Sequence, residues 1–567
     1  MKRIYLLVFL VFCLTVSEGY GQTWLWAYGV NNGTNGLSEE LGITVDDSGN
    51  VYEAGDFNGT VTFGTISVTE SPNEALYLTK FDNNGNALWV TTGKSSTSGG
   101  AYPCALTTDI ARNVYVTGQY ICALTMGTFS TSTNYTQLFL AKYSAAGVLQ
   151  WGLSSSNIGN NGQMYAESIH TDVFGNVYIA GYFNYKVKLG AFTLNNPNGF
   201  SDLMFIAKVS SSGNVLWVKT QTNFDFSYPD GLVCDSAGNV YVAGTFGDTL
   251  QFGTSIIKAP SKGNYFITKF DSSGNFIWLD GGNVTSNGWA SVLTPIYGGS
   301  ILDIDKVGNL YITGQFLDSL RIGRDMLYSG TSDNFVAKYT SAGAPVWGIQ
   351  EMMPHSKFPG YPCALSCDKR GGLYISGIMA DSVTFGSVSL ISDSLRPSFL
   401  FKLDTAGNTL CGNIINDNNF DNNDVVADPL SDEAFLSGNI YPSPDSVCYF
   451  GRYFLSSSVP TEFAYLTKWI CYSEDGINET KAKNSQLKVF PNPTNGIFTI
   501  HFVGAQNFES ENIEIYTVFG QKVNFGMLKQ VQYDYEINLS SQPDGLYFYR
   551  VMNQDGSLAG EGKIVKD

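Results

Sequence analysis

Charge is scarce in this chain. Asp, Glu, Lys and Arg make up 14% of its 567 residues, against about 25% in an ordinary globular domain. The charge that is present leans negative, 32 basic against 50 acidic residues for a net −18, so no basic surface is at hand for nucleic acid or an anionic membrane. Histidine is nearly missing, with only His170, His355 and His501. No H-E-x-x-H, no G-x-S-x-G elbow and no metal-type C-x-x-C pair occurs, and neither a metal nor a cofactor is expected. Gly93-Lys94-Ser95 hints at a phosphate loop, but Leu88 stands where its first glycine belongs. A helical period is absent throughout. Aromatics, by contrast, reach 14% and glycine counts 61. That mixture excludes a disordered chain, a coiled coil and a collagen, and suits an all-β protein rich in tight turns.

One long apolar run exists. Lys2 and Arg3 precede Ile4 to Val16, followed by Ser17-Glu18-Gly19-Tyr20-Gly21, the charged, apolar and small-residue pattern of a secretory signal. The run is shorter than the roughly 20 residues of a membrane span. Residues 1–21 therefore read as a signal peptide, with cleavage after Gly21 or Gly19, and the mature chain is expected to carry no transmembrane segment. Export permits disulfides among the eight cysteines that remain. Cys104 and Cys122 flank one turn and could face each other across a hairpin, whereas Cys363 and Cys367 on one strand read as structural thiols.

A phrase repeats at a period of about 63 residues. It runs Gly49-Asn-Val-Tyr52, Asn113-Val-Tyr115, Gly175-Asn-Val-Tyr178, Gly238-Asn-Val-Tyr241, Gly308-Asn-Leu-Tyr311 and Gly371-Gly-Leu-Tyr374, with a worn copy at Phe435. Each copy reads as four short strands. An apolar strand ends in Asp, an Asp-x-x-Gly-Asn turn leads to the Tyr strand, and an alternating strand ends in Lys. A Gly turn then leads to a Trp strand. Lysine strands occur at 80, 142, 208, 269, 338, 402 and 468; tryptophan strands at 26, 89, 151, 217, 278 and 347, with Leu410 in the seventh place. The first Trp strand lacks a Lys strand before it, and the last Lys strand lacks a Trp strand after it. A ring resolves both defects, because Trp26 can complete the sheet of Lys468; an open solenoid would leave two raw edges. The fold expected for 22–471 is a seven-bladed β-propeller closed by its N-terminal strand. The phrase D-x-x-G-N-x-Y-x-x-G resembles the bacterial SBBP-type β-propeller repeats, a resemblance that implies fold and not activity.

After a polar linker (472–487) the composition changes. Phe490-Pro491-Asn492-Pro493-Thr-Asn-Gly496-Ile-Phe498, Ile515-Tyr-Thr-Val-Phe-Gly520-Gln-Lys-Val523, Gly545-Leu-Tyr547-Phe-Tyr-Arg-Val551 and a basic end with Lys563 succeed one another. Short alternating strands of this kind read as a small β-sandwich. Residues 488–567 resemble the C-terminal sorting domain of the type IX secretion system of Bacteroidetes. The resemblance implies that the secretion machinery is a partner, that this domain is removed, and that the protein ends secreted or attached at the cell surface.

Candidate site residues are of three kinds. Asp47, Asp109, Asp172, Asp235, Asp305 and Asp368 recur in every copy, and a residue present in every blade usually serves the blade, here by capping its turn. The seven lysines read as a solvated or channel-lining row. Tyr102, Tyr165, Tyr228 and Tyr361 stand seven residues before those aspartates, with Tyr297 one residue off, on loops that open near a propeller channel. Aromatic rims suit stacking on sugars or peptides. Glu167 and Asp230 share one repeat offset in adjacent copies where others carry Cys104 and Cys363, and a close acidic pair is what glycoside hydrolysis needs. The expectation is a monomeric, non-catalytic binding or adhesion module for a glycan, protein or surface polymer. The alternative is a polysaccharide lyase or glycoside hydrolase with its site at the channel mouth.

Overall fold

The computed structural model describes residues 22–471 and 486–566, less 33–36, 96–98, 160, 260–262, 282, 285–287, 293–298, 353–359, 380–381, 393–396, 416–419, 442–447, 451–452, 456–461, 491–493, 504–511, 518–521, 532–533 and 553–557. The expected signal segment, nearly all of the linker, Tyr297, and Pro491, Asn492, Pro493 and Gly520 of the tail lie outside the described residues. Two compact units divide the chain, Met1–Ser473 and Glu474–Asp567. Among the described residues every regular element is a strand, and no helix is long and apolar enough to cross a membrane.

In the first unit, antiparallel strands form seven four-strand sets among the described residues, one per sequence copy. The inner strands are Leu37–Val45, Ala101–Thr108, Gln163–Thr171, Ser227–Cys234, the divided Trp289–Ser291 and Leu302–Ile304, Tyr361–Cys367 and Phe420–Ala427. We number the sheets 1 to 7 in that order. Sheet 7 is completed from the N-terminus: Gln22–Gly29 pairs with Phe463–Cys471, and Trp26 lies opposite Lys468. Each inner strand touches the next, and the inner strand of sheet 7 touches that of sheet 1.

The repeated residues hold neighbouring sheets together. In the first turn of sheet 2, Asp109 Oδ1 accepts the Ala111 and Asn113 amides, at 2.9 Å each, and the Tyr115 hydroxyl donates to Oδ2 at 3.0 Å. Burial pulls this carboxyl upward, but the Asn113 side chain and amide, Tyr115 and Lys142 outweigh it and hold it below the usual range. Gly147 of the second turn, at φ 78°, lies against the Trp89 ring of sheet 1, where a Cβ would come within 2.8 Å. Trp89 Nε1 donates to the Ala145 carbonyl of that turn at 3.1 Å.

The lysine row is neither solvated nor channel-lining. Six of the seven are buried, Lys468 to 3% exposure. Each ammonium lies over the aromatic ring of its own sheet, 4.7 Å from the Tyr52 and Tyr178 centroids, for example. Lys208 also pairs with Asp172 at 3.4 Å and donates to the Ser272 carbonyl of sheet 4 at 3.2 Å. Burying an ammonium is tolerable only with such partners. A second correction concerns the first copy. Counting six residues back from the tyrosine places Asp46, not Asp47, in the ring, and Asp46 Oδ2 meets Tyr52 and Lys80 at 3.2 Å each. Asp47 sits one residue on, exposed, and pairs with Arg112 at 2.7 Å. Asp428, which pairs with Lys468 at 2.9 Å, is the seventh member.

Tryptophan joins each sheet to the next except between sheets 6 and 7, where Leu410 stands in its place. There Cys411 of sheet 6 is bonded to Cys471 of sheet 7. Cys104 and Cys122 are not bridged. Cys104 falls in a bulge opposite Gly118 and Thr117, while Cys122 pairs with Thr133 of the following strand, so the two do not face each other.

The second unit packs a four-strand sheet (Gln486–Phe490, Ile497–Val503, Asp534–Asn538, Gly526–Val531) and a three-strand sheet (Asn512–Thr517, Gly545–Met552, Leu558–Lys566) around one core. Phe498, Ile500 and Ile537 from one sheet meet Ile515, Tyr547 and Ile564 from the other. Gly496 at φ 113° lies against Ser540. Lys563 is on the last strand, opposite Phe548.

Trp26→Ala removes an indole lying on Gly85 and donating to Asn83 at 3.2 Å. Unfolding by heat should show a loss of about 3 kcal/mol or more, with Leu88→Ser, at a half-exposed position, as the neutral control. An unchanged midpoint for Trp26→Ala would contradict a sheet closed by the N-terminal strand.

Candidate functional site

All seven inner strands line one cavity of about 260 Å³. Their registers explain what it contains. The pairing of each regular inner strand with its neighbour skips at one place, between Pro103 and Ala105, Ala166 and Ser168, Tyr228 and Gly231, Pro362 and Ala364, for instance. A bulge frees a residue from the ladder and re-aims its side chain. The residues so freed include Leu41, Cys104, Glu167, Asp230 and Cys363. Of these, Glu167 and Asp230 line the cavity.

Burial raises the Glu167 carboxyl to about 7. Burial, and then the Glu167 charge, push Asp230 well above the carboxylate range. Asp230 is 8% exposed, and its Oδ2 has no hydrogen-bond partner. Two further acids line the same space. Asp303 accepts the Cys367 amide at 2.7 Å and is raised by burial to about 6. Asp424 accepts the Ile43 amide at 3.2 Å and is raised by burial to about 7. These two join inner strands of different sheets, 5 to 6 and 7 to 1. His170 is driven by burial down to about 4 and is neutral.

The four candidate tyrosines separate into two groups. Tyr165 stacks on Tyr182 at 4.7 Å and 18°, and Tyr182 meets Tyr228 edge-on at 5.0 Å. Phe226 lies 5.7 Å from Tyr228, whose hydroxyl donates to Asp202 at 3.0 Å. Burial raises the Tyr182 phenol, and the charge of Glu167 adds to the rise; Tyr228 is raised by burial, Asp202, Asp230 and Glu167. The phenols of Tyr182 and Tyr228 therefore feel the Glu167 charge, although none of the three tyrosines lines the cavity itself. Tyr102 is elsewhere, its hydroxyl donating to Glu74 at 2.6 Å, and Tyr361 opens the inner strand of sheet 6, opposite Ile378. Sequence reasoning missed Tyr182, Asp202, Asp303 and Asp424. Tyr182 carried a usable signal, since it follows the repeat glycine at a position held elsewhere by Asp56, Gln119, Thr245, Gln315, Ile378 and Asn439. Among the described residues no cluster of three or more His, Cys, Asp or Glu could hold a metal.

Comparison with known proteins adds the destination. Residues 488–566 match the secretion system C-terminal sorting domain family. That domain marks the protein for type IX export to the cell surface or the surrounding medium. An uncharacterised WD repeat-containing protein of Acanthamoeba polyphaga mimivirus is 23% identical over 493 residues, covering 68% of this chain and 34% of that one. The chain thus spans about a third of the length of that relative. Among solved structures, a protein of unknown function from Dyadobacter fermentans matches at 11% identity, covering 79% of this chain and 99% of that chain, with a TM-score of 0.36. A fungal alcohol oxidase of the AA5 family in complex with copper matches at 12% identity over 96% of this chain and 99% of that chain, with a TM-score of 0.33. At such scores neither resemblance carries an argument about chemistry.

The raised acids give stability a defined pH dependence. Glu167 moves from 4.5 to about 7 in the fold. Between those values the folded chain keeps a proton that the unfolded chain releases, so the stabilising contribution shrinks as pH rises and is gone above about 7. Asp303 and Asp424 act in the same direction. Melting points measured from pH 5 to pH 8 should fall, and Glu167→Gln should flatten part of the slope and raise the midpoint at pH 8. An identical slope in the variant would show that Glu167 is not desolvated.

Proposed function

We propose that the first unit is a closed seven-bladed β-propeller of SBBP-type repeats, displayed at the cell surface or released, and that it works as a non-catalytic binding module. Its ligand is a glycan, protein or surface polymer engaged at the end of the axial cavity between sheets 3 and 4. Closure is supported by the cyclic contacts of the inner strands and by the pairing of Gln22–Gly29 with Phe463–Cys471. The observation that carries the binding reading is the Tyr165–Tyr182–Tyr228 cluster, whose Tyr182 and Tyr228 phenols feel the charge of Glu167 in the cavity. The recurrent Asp, Tyr, Lys and Trp residues are spent on holding sheets together, and Tyr182, Glu167 and Asp230 are where the chain departs from its own repeat. Aromatic faces with adjacent hydrogen-bonding groups suit a polymer end or a protruding side chain.

A glycan and polymer array probed with the full chain should return a ligand, and Tyr165→Ala combined with Tyr228→Ala should weaken its capture by about tenfold or more without lowering the melting point. Capture that ignores both substitutions would remove the tyrosine cluster from the function. Glu167 and Asp230 also favour a second reading, a glycoside hydrolase or lyase, because both acids face one cavity and one of them is raised to about 7. Product release from an array polymer by the full chain, abolished by Glu167→Gln, would establish it in place of the first.

The sorting domain is removed during passage and the mature protein is released or anchored to surface polymer. Deleting residues 488–567 should leave the first unit folded but held in the periplasm, as read by fractionation and protease access. Surface delivery of the truncated chain would defeat the export assignment.

A further inference from the structure

The proposed binding site leaves open what chemical group enters the cavity, and the charge around Glu167 and Asp230 narrows the choice. Both side chains are aimed into the cavity by bulges on adjacent inner strands. Burial, and then the Glu167 charge, disfavour ionisation of Asp230. Asp230 Oδ2, buried, accepts no hydrogen bond. Among the described residues no Lys or Arg lines the cavity, and the repeat lysines of sheets 3 and 4 are committed elsewhere: Lys208 to the carbonyl of Ser272 and Lys269 to that of Ser341. An acidic pair with an unfilled acceptor and no cation of its own lacks a positively charged donor.

A divalent metal is a poor fit, since no cluster of three or more metal-binding side chains exists among the described residues. A neutral hydroxyl could fill the empty acceptor, but it would leave the repulsion between the two acids in place. An ammonium group does both. It supplies three N–H donors and neutralises the pair. Resting on the binding-module reading above, we infer that Glu167 and Asp230 form the anchoring site for a primary ammonium group of the ligand, borne by an amino sugar or by a lysine side chain.

Binding of such a group draws both acids toward their ionised forms, so it should release protons near neutrality and tighten as pH rises. The other titrating groups near the pair are Cys104 on sheet 2, His170 on the Glu167 strand, Tyr182, Tyr228 and Asp202. Across the cavity stand Asp303 and Asp424. His170, held neutral, and the raised thiol and phenols do not titrate in that range.

The test is calorimetry of the full chain with glucosamine, Nα-acetyl-lysine amide, glucose and N-acetylglucosamine, each in two buffers of different ionisation heat. Glucosamine or the lysine amide should bind, the better of the two identifying the source, while glucose and N-acetylglucosamine bind about tenfold more weakly or worse. Asp230→Asn and Glu167→Gln should each weaken the amine by about tenfold, with melting points unchanged or raised. Wild-type binding should release protons and strengthen from pH 6 to pH 8, a readout that needs no variant to fold. Glucose binding as tightly as glucosamine, absence of any amine binding, or amine binding indifferent to both substitutions would overturn the inference. An array ligand that depends on the tyrosines while the amines fail would leave the binding-module reading intact and remove only the ammonium site.

Discussion

The first unit depends on a buried lysine. In six of the seven copies an ammonium is buried, a step affordable only because an aromatic ring and, in most copies, a carboxylate or a group of the next sheet are already in position. The arrangement explains why the repeat keeps Asp, Tyr, Lys and Trp at fixed offsets while its other polar residues drift. The aspartate shapes the turn and accepts the tyrosine hydroxyl, and the tyrosine supplies the face over which the lysine rests. The lysine and the tryptophan then reach one carbonyl of the following sheet, Ser211 for Lys142 and Trp151, Thr405 for Lys338 and Trp347. Removing one member leaves the others desolvated unless another group takes its place.

Sheet 7 shows what happens when the set erodes. Phe435 replaces the tyrosine and has no hydroxyl to give, yet Lys468 still lies over its ring at 4.8 Å. The lost hydrogen bond is replaced by acids, Asp428 at 2.9 Å and Glu433 at 2.5 Å. On the other side, Leu410 cannot donate to sheet 7 as a tryptophan would, and there the covalent Cys411–Cys471 link joins the sheets. Trp469 fills nearby space, edge-on to Tyr374 of sheet 6 at 6.2 Å. The weakest copy is also the one assembled from both ends of the unit, where reinforcement matters most.

Much of this architecture was legible in the chain, because period and strand count are properties of the sequence itself. The unpaired Trp strand at 26 and the unpaired Lys strand at 468 called for each other, and they pair. The role of the lysines was not legible. Alternation tells which residues share a face of a strand, and an ammonium on an alternating strand reads as solvated unless the ring and carbonyl awaiting it are known. Asp46 and Asp47 stand side by side, and the turn phrase alone does not say which closes the hairpin; the offset to Tyr52 does. The Cys411–Cys471 bond joins residues of different sheets, so no local spacing could announce it.

The candidate site follows an opposite logic, which is why the sequence revealed it only in part. A bulge at the same point of successive inner strands costs little when a leucine or cysteine occupies it, and Leu41 and Cys363 are absorbed into the fold. Placing Glu167 and Asp230 at that point buries two carboxyls without a structural partner for Asp230 Oδ2. Neither acid takes part in the ladders that hold sheets 3 and 4 together, so stability does not account for them. Asp303 and Asp424 differ: they are buried in the same cavity, yet each accepts a backbone amide of the next inner strand and thereby ties two sheets. Four acids share one space, and hydrogen bonding to the backbone of a neighbouring sheet marks the two that serve the scaffold.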